Sequence, residues 1–121
     1  RQFGKALCDF QGLQWKFAEM KLKLDAAQLL LYRAATNADA GLPSPEETAI
    51  AKVACNRAGF ECANEAIQIM GGAGYSQDSL VEYCLRRTRG WMIAGGAIEV
   101  LLNRIAEGVF DMRFPQGPAK S

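Results

Sequence analysis

The residues Leu13, Phe17, Met20, Leu24, Ala27, Leu31 and Ala34 recur at alternating spacings of four and three. That period belongs to one long helix, placed roughly from Asp9 to Ala40. Lys16, Glu19, Lys23 and Asp25 fill its other faces, and Gly41 with Pro43 ends it. A helix this long carrying one apolar stripe needs other helices to cover it.

The following segments supply them. Ser44 caps, Pro45 suits a first helical position, and Glu47 stands three residues on as a capping box. The segment continues through Ala49, Ile50, Val53, Ala54, Ala58, Cys62 and Ile67 to a glycine cluster. Gly59 costs such a helix about 1 kcal/mol relative to Ala, which a closely packed neighbour offsets. A third segment starts near Ser79, with Glu82 three residues on, and a fourth runs from about Ala97 to Phe110. No strand alternation of useful length is present. The fold class is all-α, an antiparallel four-helix bundle over residues 1–112, with residues 113–121 read as a loose tail.

Charge and residue counts then exclude several functions. The 14 Lys and Arg against 13 Asp and Glu leave no concentrated basic face for nucleic acid, and no apolar run reaches the length of a membrane span. With no histidine, Ser-His-Asp and Cys-His pairs are excluded within this chain. Cys8, Cys55, Cys62 and Cys84 form no C-x-x-C pair, so no metal site is expected and the thiols are read as buried and reduced. The opening "RQFGKAL", with neither Met nor a secretory leader, is read as lying inside a larger architecture.

The stretch "QIMGGAGYS", residues 68–76, follows a helix rather than a strand and has no Lys-Ser or Lys-Thr after it. Both phosphate-binding glycine fingerprints therefore fail. Gly71 or Gly72 is expected in the left-handed conformation at a helix end. Gly72 and Gly74 would let a ligand approach the backbone, and Tyr75 would anchor the turn. Arg86, Arg87 and Arg89 read as a solvated face, and Trp91 and Met92 as packing residues.

Taken together, "RQFGKALCDFQGLQWKFAEM", "QIMGGAGYS" and "YCLRRTRGWMIAGGAIEVLLNRIA" resemble the C-terminal helical domain of the acyl-CoA dehydrogenase family over nearly the whole chain. The resemblance implies part of an FAD-dependent enzyme that removes hydrogens from the α and β carbons of an acyl-CoA thioester. It also implies a homodimer or homotetramer that passes electrons to an electron-transfer flavoprotein. Location would be cytoplasmic in a bacterium and the mitochondrial matrix in a eukaryote. Gln2 and Phe3 match the family's Gln-Phe-Gly and would meet the FAD of a neighbouring subunit. Gln68, Gly71 and Gly72 match the segment that approaches its dinucleotide part.

The final motif departs from the family. Gly95 falls on the catalytic-glutamate position, Gly96 on the family glycine and Ala97 on its threonine, while Glu99 matches a Glu or Gln facing the FAD region. Gly95 cannot abstract a proton, although the resemblance gives its N–H a role in polarising the thioester carbonyl. The base would then stand on an earlier helix, before Arg1. The first helix of the bundle is expected to be missing as well, leaving the chain inactive by itself and prone to self-association. An acyl-CoA oxidase, a flavin-dependent hydroxylase or a non-catalytic assembly domain are the rival readings.

Overall fold

The computed structural model describes residues 1–38, 41–115 and 117. A tight turn at Gln2–Lys5 and a 3₁₀ turn at Leu7–Asp9 lead into α1, Gln11–Thr36. Then come α2 (Pro45–Met70), the short α3 (Gly72–Tyr75), α4 (Leu80–Trp91) and α5 (Ile98–Phe110). Ala40 lies outside the described residues, and Asn37 already ends α1. The expectation of an all-α chain holds.

Cross-links fix the directions. Lys16 pairs with Glu65, Lys23 Nζ with Glu61 at 2.6 Å, and Arg33 with Glu47 at 3.5 Å, so α1 and α2 run antiparallel. Cys55 Sγ and Cys62 Sγ lie two helical turns apart, and each points at an α1 carbonyl, Ala27 and Met20, at 3.6 Å. On the other side of α2, Gly59 meets Thr88 and Asn56 meets Trp91, which sets α4 antiparallel to α2 as well. Further along, Gly108 of α5 lies against Glu46 near the start of α2. Helices α4 and α5 therefore run in series down α2, with a break at residues 92–97.

Helix α2 is the hub of this arrangement. Among the described residues it packs against α1, α3, α4 and α5, while α1 touches neither α4 nor α5. Its small side chains make that possible: Ala49, Ala51, Val53, Ala58, Cys62 and Ala63 are buried, joined by Ala27, Ala34 and Ile98. Small residues let backbones come close, and Gly59 shows how close, because a Cβ there would lie 3.0 Å from Thr88 Cγ2.

The α1 stripe divides. Ala27 and Ala34 are buried, whereas Phe17, Leu24 and Leu31 stay 48%, 45% and 48% exposed. Trp15, Leu22 and Leu29, on the opposite face, are more exposed still. α1 thus carries two apolar faces and α2 covers part of one.

Some local expectations need correction. Ser44 Oγ accepts the Glu47 N–H at 3.1 Å as expected, but the Glu47 carboxylate turns to Asn37 and Arg33 rather than closing a capping box. Ser79 precedes α4 without capping it, and its buried Oγ finds no hydrogen-bond partner among the described residues. Cys8 is exposed rather than buried. Where a loose tail was read, Phe114 stacks edge-on against Phe110 at 5.7 Å and donates its N–H to Glu107 at 3.2 Å. Residues 116 and 118–121 of that segment lie outside the described residues.

Candidate functional site

The sequence-picked residues gather in two places. At one end of the α1–α2 pair, Gln2 and Phe3 precede α1, and Gln68, Gly71 and Gly72 close α2; the Lys16–Glu65 pair holds these two ends together. Gly95 and Ala97 lie in the α4–α5 break, whose Ala94 and Gly96 carbonyls meet Lys52, and Glu99 follows in the first turn of α5. Residues 52 and 68 are separated by about 24 Å along α2 at helical rise.

In the first place, Gln2 and Lys5 exchange two backbone hydrogen bonds of 3.0 Å around Phe3 and Gly4. Both central residues have positive φ, 51° and 76°, the signature of a mirror-image hairpin turn. A phenylalanine in that conformation costs about 1–2 kcal/mol, yet Phe3 is 92% exposed and gains little cover from the described residues. Gly71 ends α2 with φ 63° and ψ −141°, outside the left-handed helical region expected for it but open to glycine. A Cβ at Gly71 or Gly72 would meet nothing within 4 Å, so this backbone is open to approach. Gly74 is different. A Cβ there would lie 2.8 Å from Met70 Cβ and 3.0 Å from the Ile67 backbone, so Gly74 serves packing rather than a ligand. Tyr75, expected as an anchor, is 78% exposed.

In the second place, α4 ends at Trp91 and the chain crosses Gly95 (φ 66°) and Gly96 (φ 99°) before Ala97 starts α5. Lys52 Nζ donates to the carbonyls of Trp91 (3.0 Å), Ala94 (3.0 Å) and Gly96 (2.8 Å), and Asn56 Nδ2 to that of Trp91 at 2.7 Å. A cation at the C-terminal end of α4 also complements the helix dipole. The Ile98 N–H closes the loop onto the Met92 carbonyl at 3.2 Å. Ala97 holds the N-cap position without a side-chain cap. Glu99 is exposed in the first turn of α5. Trp91 is half exposed and Met92 partly buried. Sequence reading missed Lys52 and Asn56; a single lysine inside the small-residue run "TAIAKVACN" was the available signal.

Electrostatics elsewhere are modest. The Arg86, Arg87 and Arg89 run is a solvated face, with Arg86 3.7 Å from Glu82 and Arg87 over the Tyr83 ring. The Glu61 carboxylate, accepting from Lys23, holds that ammonium above its ordinary pKa. Burial pushes the Cys55 and Cys62 thiols up. The Phe114 N–H, with Arg104 beside it, pulls Glu107 down. Among the described residues no cluster of acidic and cysteine side chains could hold a metal. No helix among them is long and apolar enough to cross a membrane.

The sequence profile of the acyl-CoA dehydrogenase C-terminal domain matches residues 1–110. The chain belongs to the acyl-CoA dehydrogenase family. It is 35% identical over 116 residues to the 3-sulfinopropanoyl-CoA desulfinase of Cupriavidus necator, 96% of this chain and 29% of that protein. Its fold is similar to butyryl-CoA dehydrogenase of Megasphaera elsdenii, with a TM-score of 0.86, 36% identity, and coverage of 91% of this chain and 29% of that one. It is also similar to an FAD complex of PigA, with a TM-score of 0.82 and 29% identity, over 91% and 29% of the two chains. The chain thus spans less than a third of the length of these relatives.

Proposed function

We propose that this chain is the C-terminal helical domain of an FAD-dependent acyl-CoA dehydrogenase. In this reading Gln2, Phe3, Gln68, Gly71 and Gly72 meet the FAD, with Ala97 and Glu99 on its other side. The observation that carries the reading is the pairing of an outward-presented Phe3 turn with the open Gly71–Gly72 backbone at one end of α1–α2, in a chain matching the family profile. Phe3 adopts a costly conformation to face outward, and a Cβ would occupy the approach path at Gly71; both features fit a flat, polar-edged cofactor.

When bound, FAD supplies the acceptor for a hydride equivalent from the substrate β carbon. The residues of this chain bind and orient. Gly95 offers an N–H to the thioester carbonyl, which makes the α proton more acidic. No side chain at Gly95 takes that proton, so the base comes from outside the break loop. The partners are the acyl-CoA substrate, further copies of the protein as a homodimer or homotetramer, and an electron-transfer flavoprotein. The compartment is the cytoplasm of a bacterium or the mitochondrial matrix of a eukaryote.

A second reading is favoured by Gly95 together with the desulfinase relatives. Hydrolytic release of the sulfinate group from C3 of an acyl-CoA, in which C3 gains a proton and water supplies the third oxygen of sulfite, needs no oxidant and fits a break loop that holds no carboxylate. Mass analysis of products decides between the two. The full-length protein is incubated with a panel of acyl-CoA thioesters and an artificial electron acceptor, then with 3-sulfinopropanoyl-CoA. A thioester lighter by two hydrogens supports dehydrogenation, and sulfite release without an acceptor supports the second reading. Thioesters that all stay intact would overturn both.

A further inference from the structure

We draw no further inference here: the strongest candidate, the exposed apolar face of α1 formed by Trp15, Leu22 and Leu29, carries none because nothing in the structure shows what covers it.

Discussion

Gly59 of α2 and Thr88 of α4 sit so close that a Cβ on Gly59 would lie 3.0 Å from Thr88 Cγ2. Thr88 has no room to yield, because its Oγ1 donates within α4, placed 2.8 Å from the Cys84 carbonyl and 3.1 Å from that of Leu85. Alanine at 59 gains about 1 kcal/mol of helix propensity, but overpacking costs about 1–3 kcal/mol. Gly59→Ala should therefore destabilise by roughly 1 kcal/mol net. Gly59→Ala with Thr88→Ser, which removes the methyl group and keeps the hydroxyl, should melt at or above the wild-type temperature.

Gly72 and Gly74 should separate ligand effects from packing effects. Gly74→Ala forces its Cβ against Met70 and the Ile67 backbone and should cost about 1–3 kcal/mol. Gly72 has an ordinary φ and open space, so Gly72→Ala should leave thermal stability near wild type. In the full-length protein the same substitution should weaken FAD binding by about tenfold, ~1.4 kcal/mol. Fluorescence titration of the apoprotein with FAD measures it.

Ala97 has the extended backbone of an N-cap, φ −59° and ψ 152°, without a capping side chain. Ala97→Ser and Ala97→Thr should each stabilise α5 by about 1 kcal/mol, read from urea denaturation.

Stability should fall at high pH. Lys23, Cys55 and Cys62 all have raised pKa values in the fold, from ordinary values of 10.5 for the lysine and 9.0 for the thiols. The folded chain then holds protons that the unfolded chain releases, so stability is complete below about pH 9 and declines as pH rises through the folded values. Cys55→Ser with Cys62→Ser should flatten the thiol part of the decline, which starts first. Glu107 acts in the opposite sense. Its lowered pKa contributes stability above its ordinary 4.5 that is lost as pH falls through the folded value. Glu107→Gln should remove the acid part of the curve, and melting temperature against pH checks both.

Local signals made most of the fold legible. The Ser44-Pro45 start produced a helix beginning at Pro45, and the glycine after Met70 ended it. The density of Ala, Gly and Cys in α2 foretold close neighbours, and Gly59 confirmed one. What stayed hidden depended on tertiary partners. The Glu47 carboxylate found Arg33 of α1 and Asn37, the residue that caps its end, in preference to its own cap. Gly74 looked like part of a ligand turn because its neighbours in sequence do, and only the return of α3 against Ile67 shows its use. Lys52 reads as a surface lysine until the loop 40 residues later folds over it. Trp15, Leu22 and Leu29 escaped notice because the stronger stripe on the opposite face of α1 dominates its pattern.

Anaerobic titration of the purified full-length protein with acyl-CoA thioesters, followed by visible absorption, is the most direct measurement. An oxidised-flavin spectrum bleached by at least one thioester is the expected result. A folded protein that carries no flavin and takes up none on reconstitution with FAD would contradict it, and would leave α1 to α5 as an assembly domain.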